Sequence, residues 1–310
     1  MRIAAIFPGQ GSQAVGMGAD IAARSPEARD VFDRARRVLG YDLLALQIDG
    51  PEEKLRETQF SQPAIFTTNL ALYYAAADAP QPVVSAGHSF GEFCSLVIAG
   101  SLEFEEAVRV VAERGQAMQE AAELKAGAMS AVLGLEASAV RAVADRVREE
   151  TGRRVQLANF NSPTQIVISG DDVAVRASAD AMLAAGAKRV VPLNVSGAWH
   201  SELMQPAVAR FAGAVERAHF TMPHIDVVSN VDAQPYRDVA GIRRNLVRSI
   251  VDEVRWHDAA ERLLSYDLDA VVEFGASAVL GPLMKRMANA PKVLVVSDYA
   301  GVQKLRGNEV

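Results

Sequence analysis

Short apolar runs alternate with longer amphipathic segments along most of the 310-residue chain. The apolar runs predict strands at residues 3–7, 83–87, 226–230, 270–274 and 293–297. Apolar positions at helical spacing predict helices at residues 25–39, 63–77, 103–124 and 204–218, with a further helix directly after residue 91. Because helices alternate with short buried strands, we expect an α/β fold whose large domain holds a mostly parallel sheet.

The pattern changes between residues 126 and 196. Strand-like runs at 128–133, 155–158, 165–169 and 189–195 surround two amphipathic helices at 138–150 and 173–185. This β-α-β-β-α-β order is the ferredoxin-like arrangement. We therefore expect an inserted ferredoxin-like subdomain at 126–196, and a large domain built from 1–125 and 197–310.

Composition narrows the possible functions. Half of the residues are apolar and 23% are charged, which is ordinary for a soluble globular protein. The net charge of −6 argues against nucleic acid as a partner, because phosphate binding needs a basic excess. The single cysteine, Cys94, excludes an intrachain disulfide, and we predict no metal site. No apolar run reaches the ~18 residues of a membrane span, so we expect a cytoplasmic protein.

The most informative motif is Gly87-His88-Ser89-Phe90-Gly91, between a predicted strand and a predicted helix. This is the setting of a nucleophile elbow, a sharp turn that exposes a serine hydroxyl at its apex. Ser89 is therefore the predicted nucleophile. The amide of Phe90 lies at the start of the next helix, where amides without helical partners can stabilise an oxyanion.

A serine nucleophile needs a base that accepts its proton. His200 follows a predicted strand in a glycine-containing turn, where loops of the large domain converge, and it is the predicted base. His88 is expected to point away from its neighbour Ser89 and to pack. No Asp or Glu can be assigned as the group that orients the base, and a backbone carbonyl would serve equally well.

The segment Gly9-Gln10-Gly11 after the first strand has two interpretations. With Ala14 it matches a dinucleotide fingerprint, which requires a second strand ending in an acid about 20 residues later. A charged helix is predicted there instead. The second interpretation is that the amide of Gln10 joins that of Phe90 in an oxyanion hole.

Arg114 lies in a predicted helix among small and apolar residues. An exposed helical arginine is the ordinary interpretation of such a residue. The alternative is a buried guanidinium that binds a carboxylate with two donors.

Taken together, these motifs resemble the malonyl-CoA:acyl-carrier-protein transacylases, including stand-alone enzymes of fatty-acid synthesis and acyltransferases of polyketide synthases. The shared segments run in the family's order over nearly the whole chain: residues 7–13, 87–92, 114–115, 158–163, 199–201, 254–256 and 273–275. The resemblance implies an α/β-hydrolase-like large domain with a ferredoxin-like small one.

The resemblance also implies roles for individual residues. Ser89 corresponds to the acylated nucleophile, His200 to its base, and Arg114 to the group that binds the malonyl carboxylate. The amides of Gln10 and Phe90 correspond to the oxyanion hole. The backbone carbonyl that orients the histidine falls at Ser249, where the family usually has glutamine.

Trp199 departs from relatives that accept branched acyl units, which more often have a small residue before the histidine. A large ring there implies a small acyl pocket that favours malonyl over methylmalonyl groups.

The reaction implied is ping-pong malonyl transfer from malonyl-CoA to a holo acyl carrier protein, without a cofactor, by a monomer. Three alternatives stay open at this point: an acyl-carrier-protein thioesterase, an acyltransferase for another acyl unit in a polyketide pathway, and a non-catalytic carrier-protein docking module.

Overall fold

The computed structural model describes residues 1–307; residues 308–310, which belong to the predicted large domain, lie outside the described residues. The strands are, in chain order, β1 (Ile3–Phe7), β2 (Pro82–Gly87), β3 (Ala128–Leu133), β4 (Val155–Ser162), β5 (Gln165–Gly170), β6 (Arg189–Pro192), β7 (Asp226–Val228), β8 (Ala270–Phe274) and β9 (Lys292–Val296). The α-helices are α1 (Ala19–Arg24), α2 (Pro26–Leu39), α3 (Leu43–Asp49), α4 (Glu52–Arg56), α5 (Thr58–Ala75), α6 (Gly91–Ile98), α7 (Phe104–Leu124), α8 (Ala137–Thr151), α9 (Asp172–Ala184), α10 (Gln205–Arg217), α11 (Val239–Arg248), α12 (Trp256–Leu264), α13 (Gly281–Met284) and α14 (Tyr299–Arg306).

The first sheet has five strands in the spatial order β7-β2-β1-β8-β9, and all of its neighbouring strands are parallel. All five residues of β1 are buried, as expected for a strand covered by helices on both faces. Phe7 belongs to the core on the face of α5 and α7, whereas Ile6 packs on the opposite face with Trp256 of α12. The predicted α/β class and parallel sheet are confirmed.

The second sheet is antiparallel, with the strand order β4-β5-β3-β6. This is the strand order of the ferredoxin-like arrangement, in which β5 lies between the two strands joined by α8. Helices α8 and α9 cover one face, where Val143 and Val175 pack against Ile168. The other face supplies Met129 and Val167 to the main core, so the second sheet forms one wall of a cleft. The exact domain boundaries stay a prediction.

Three element boundaries differ from the sequence prediction by three residues or more. Strand β4 continues to Ser162, through two irregularities in its pairing with β5, and only residues 163–164 form the turn. Strand β6 ends at Pro192, three residues before the predicted end; its regular pairing with β3 stops where Pro192 lies opposite Ser130, and Leu193 keeps one hydrogen bond to the carbonyl oxygen of Met129. Helix α5 begins at Thr58 rather than at residue 63, and Pro63 lies inside it; tertiary burial of this helix outweighs the hydrogen bond that proline removes.

Four loops that follow strands meet at the carboxyl edge of the first sheet. They carry Gln10 after β1, Ser89 after β2, His200 after β6 and Asn230 after β7. In α/β folds this edge is where ligands bind, because loops from neighbouring strands converge there.

Candidate active site

Ser89 lies at the apex of the turn between β2 and α6, as predicted. Its φ angle of 54° is in the left-handed region, which residues with a Cβ seldom adopt. A Cβ at Gly87 would lie 1.9 Å from the carbonyl carbon of Gly91, so the turn is too tight for any other residue there. The geometry is therefore that of a nucleophile elbow, with a strained backbone beneath an available hydroxyl.

His200 meets this hydroxyl directly. Its Nε2 atom lies 2.8 Å from Ser89 Oγ, and its Nδ1 atom lies 2.7 Å from the carbonyl oxygen of Ser249. Because a carbonyl can only accept, Nδ1 carries the ring proton and Nε2 offers its lone pair to the serine O–H. The two ring nitrogens of the predicted base therefore contact the predicted nucleophile and the predicted orienting carbonyl.

The surroundings keep the imidazole of His200 neutral. Burial lowers the pKa of His200 to about 3, assisted by the positive charge of Arg114 and by His88, whereas the Ser249 carbonyl opposes the shift. A neutral histidine can accept the serine proton. His88 itself packs as predicted: its Nε2 lies 3.0 Å from Asn161 Oδ1, and burial lowers the pKa of His88 to about 4.

Arg114 is buried, with only 1% of its surface exposed. Its Nη1 donates to Gln62 Oε1 at 2.7 Å, and its Nη2 donates to Ser89 Oγ at 3.3 Å. A Cβ at Gly115 would lie 2.7 Å from the carbonyl oxygen of Thr58, so the small residue lets α7 approach α5 closely. This close packing brings the guanidinium against Gln62 and the nucleophile.

The charge on Arg114 has no carboxylate in direct contact within residues 1–307, and its Nε has no hydrogen-bond partner there. Burial lowers the pKa of Arg114 to about 10, and the nearby charge of Glu92 opposes the shift. The guanidinium is thus charged at neutral pH. A buried cation beside a nucleophile is suited to an anionic ligand.

Of the two predicted oxyanion donors, Gln10 lines the same cavity as Ser89, and Phe90 follows Ser89 directly in the chain. Among the described residues, neither the amide of Gln10 nor that of Phe90 has a hydrogen-bond acceptor, whereas the amide of Ser89 donates to Asn230 Oδ1 at 3.1 Å. Both predicted donors are therefore free to bind a ligand. Their role in stabilising an oxyanion stays a prediction.

These groups open into a cavity of about 240 Å³ between the two sheets. The large unit contributes Ser89, Arg114 and His200, and the second sheet and its adjoining loop contribute Met129, Asn159 and Leu193. Trp199 also lines the cavity and is 4% exposed. Its predicted effect on the size of the acyl pocket stays a prediction.

Sequence reasoning missed four polar residues that hold this site: Gln62, Glu92, Gln156 and Asn230. Gln156 Nε2 donates to the carbonyl of Val251, and its Oε1 accepts from the amide of Glu202, so it joins the loops that carry the histidine and its orienting carbonyl. Gln62 and Glu92 lie in helices, Gln156 lies in a strand, and Asn230 follows one. Polar residues are common at such positions, and the sequence does not indicate which partner each one has.

A serine hydroxyl that meets a neutral imidazole beside unpaired amides is an arrangement suited to acyl transfer through a serine ester. Comparisons with known proteins agree. Residues 5–304 match the family model described as the acyl transferase domain. The chain is 39% identical to the malonyl CoA-acyl carrier protein transacylase of Bacillus subtilis, over 96% of this chain and 94% of that protein. It is 41% identical to the transacylase of the same name from Salmonella typhimurium, over 97% of each chain.

Solved structures show the same similarity. One contains a malonyl-transacylase in complex with its type II polyketide-synthase acyl carrier protein; the match has a TM-score of 0.95 and 39% identity, and covers 99% of this chain and 100% of that one. The transacylase of Coxiella burnetii matches with a TM-score of 0.95 and 36% identity, over 99% and 97% of the two chains. The chain belongs to the malonyl-CoA:acyl-carrier-protein transacylase family and is an acyltransferase.

Proposed function

We propose that this protein transfers a malonyl group from malonyl-CoA to the phosphopantetheine thiol of a holo acyl carrier protein, through a malonyl ester on Ser89. The observation that carries the choice of acyl group is the buried guanidinium of Arg114, whose Nη2 lies 3.3 Å from the nucleophilic oxygen. A malonyl group attached to Ser89 has a free carboxylate within reach of this cation. A neutral acyl chain would leave the cation buried without an anionic partner, which is unfavourable.

In the first half-reaction, Ser89 Oγ attacks the thioester carbonyl carbon while its proton moves to Nε2 of His200. The resulting oxyanion accepts hydrogen bonds from the amides of Gln10 and Phe90. The intermediate then collapses: the carbon–sulfur bond breaks, and the CoA sulfur takes the proton from His200. The Ser249 carbonyl stabilises the imidazolium that exists between these two proton transfers, because it accepts from Nδ1–H.

In the second half-reaction, the carrier-protein thiol gives its proton to His200 and attacks the malonyl ester. The new thioester forms, and Ser89 leaves with the proton returned by the histidine. The chain's own groups perform both halves, so the proposed reaction uses no cofactor. The proposal retains the predicted cytoplasmic location and monomeric state. As a separate finding, no helix within residues 1–307 is long and apolar enough to cross a membrane.

A product analysis tests this proposal. The enzyme is mixed with malonyl-CoA and holo acyl carrier protein, and malonyl carrier protein and free malonate are measured together. We expect malonyl carrier protein to form much faster than malonate. Faster release of malonate than of malonyl carrier protein would support the thioesterase alternative. Hydrolysis of the thioester of acyl carrier proteins, without transfer of malonyl groups, would also support it. A methylmalonyl or acetyl donor used in preference to malonyl-CoA would support the alternative of a different acyl unit.

A further inference from the structure

The backbone of the nucleophile is held by one side-chain amide. Asn230 lies just beyond β7, and its Oδ1 accepts from the Ser89 N–H at 3.1 Å. Its Nδ2 donates to the Ser89 carbonyl oxygen at 3.0 Å. Both polar backbone atoms of Ser89 therefore bind the same carboxamide. These two bonds act at the residue whose left-handed backbone aims Oγ at His200.

The Asn230 amide is itself fixed by Glu92 on α6, which is 1% exposed. Glu92 Oε2 accepts from Asn230 Nδ2 and, at 3.2 Å, from the Asn230 backbone N–H. Its other oxygen, Oε1, accepts from the hydroxyl of buried Tyr236. Both oxygens of Glu92 accept hydrogen bonds in this arrangement, so the Asn230 NH₂ group must face the carboxyl group, which leaves Oδ1 facing the Ser89 N–H.

Two consequences follow for the reacting groups. The Ser89 amide donates to Asn230 and is not free to bind an oxyanion, whereas the amide of the next residue, Phe90, has no acceptor among the described residues. The charge of Glu92 also favours the protonated form of Arg114, although the two side chains make no direct ion pair. The carboxylate therefore supports both the orientation of the elbow and the charge of the buried cation.

We propose that Asn230 and Glu92 are positioning residues for the nucleophile: Glu92 sets the orientation of the Asn230 carboxamide, and this carboxamide holds Ser89 so that Oγ meets Nε2 of His200. The inference rests on the proposed function only in taking Ser89 as the nucleophile. It does not depend on which acyl group is transferred.

The test uses Asn230→Asp, Glu92→Gln and the double variant of the full chain. In Asn230→Asp, a second carboxylate oxygen faces Glu92 and the Ser89 carbonyl, so the elbow must shift. A displacement of about 1 Å can lower a rate about 10²-fold, and we expect a loss of that order. In the double variant, the glutamine side chain at position 92 can donate to the new carboxylate at position 230 and still accept from Tyr236. We expect it to regain about 10-fold over Asn230→Asp, since it restores the donor–acceptor match across this contact.

Two rates are measured for each protein: single-turnover acylation by saturating malonyl-CoA, and inactivation by a fluorophosphonate that reacts with Ser89. The matched control is Asn245→Asp. Asn245 is also buried and its Nδ2 also donates to a serine hydroxyl and a carboxylate, those of Ser229 and Asp232, yet it does not touch Ser89. We expect this control to lower Tm while it keeps both rates near those of the wild type.

Wild-type rates in Asn230→Asp would overturn the proposal, as would a double variant no faster than Asn230→Asp. Rates that fall equally in Asn245→Asp, in proportion to Tm, would also overturn it. Tyr236→Phe provides a milder variant that retains the packing if Asn230→Asp does not fold, and wild-type inactivation rates there would count against the proposal. A wild-type enzyme that reacts with the fluorophosphonate but not with malonyl-CoA would refute the proposed function alone.

Discussion

Ser89 Oγ lies 2.8 Å from Nε2 of His200, and both residues have a left-handed backbone, with φ angles of 54° and 55°. Neither residue is glycine, so both conformations are unfavourable in isolation and persist because the surroundings enforce them. Asn230 holds the backbone of Ser89, and the Ser249 carbonyl holds the imidazole of His200. The proposed nucleophile and its proposed base are thus oriented before any substrate binds.

Replacing His200 with alanine should lower the rate of Ser89 acylation about 10²- to 10⁴-fold, because no other group within residues 1–307 is placed to accept the serine proton. Single-turnover acylation by malonyl-CoA measures this loss. His219→Ala is a suitable control, since His219 is exposed and lies outside the cavity. A loss below 10-fold in His200→Ala would contradict the role of His200 as the base.

Arg114→Ala should change the choice of acyl group. We expect kcat/KM for malonyl-CoA to fall about 10²- to 10³-fold, because the substrate carboxylate would enter a buried site without its cation. The value for acetyl-CoA should change far less, as this acyl group has no charge to pair. Arg109→Ala on the exposed side of the same helix is the control. Equal losses with both substrates would argue against the carboxylate-binding role.

Trp199→Ala should admit a branched acyl unit. Removing the indole enlarges the cavity beside Ser89 and His200, so the ratio of methylmalonyl to malonyl transfer should rise about 10-fold or more. Competition between the two CoA esters measures this ratio directly. Trp199→Phe retains most of the ring volume and should keep the wild-type preference. An unchanged ratio in Trp199→Ala would show that other residues limit the pocket.

Glu92→Gln should change how stability depends on pH. Burial raises the pKa of Glu92 from 4.5 to about 7, with hydrogen bonds from Tyr236 and Asn230 opposing the shift. Because the folded protein then binds the Glu92 proton more tightly than the unfolded chain does, this carboxyl group stabilises the fold below pH 4.5. That stabilisation is lost as the pH rises through 7. Relative to Glu92→Gln, the wild type should therefore lose up to about 3 kcal/mol of unfolding free energy between pH 4.5 and 8. Urea unfolding at several pH values measures the difference, and a difference independent of pH would contradict this pKa.

Most of the fold could be predicted from hydrophobic periodicity. Strand β1 and the order of β3 to β6 are confirmed because each is a short apolar run between clear turn residues. Short helices such as α3 and α4 were missed, since seven and five residues are too few to show a helical period. The start of α5 was misplaced because proline normally marks a first turn, and only tertiary burial explains Pro63 inside a helix.

A site residue could be predicted from the sequence where a short local motif is typical of its chemical role. Ser89 follows from its glycine turn, and the resemblance to a known family pointed to the carbonyl of Ser249, which the structure places 2.7 Å from His200. Asn230 and Glu92 could not be paired in advance. They are 138 residues apart, and an asparagine after a strand or an acid in a helix has many possible partners until the tertiary structure is known.

The most direct test of the account is the intact mass of the protein after incubation with malonyl-CoA, before and after addition of holo acyl carrier protein. The account predicts a mass increase of one malonyl group, located on Ser89 by peptide mapping and absent in Ser89→Ala. The added mass should pass to the carrier protein. An enzyme that gains no malonyl group while it transfers malonyl, or one that retains the adduct in Ser89→Ala, would contradict the serine-ester mechanism.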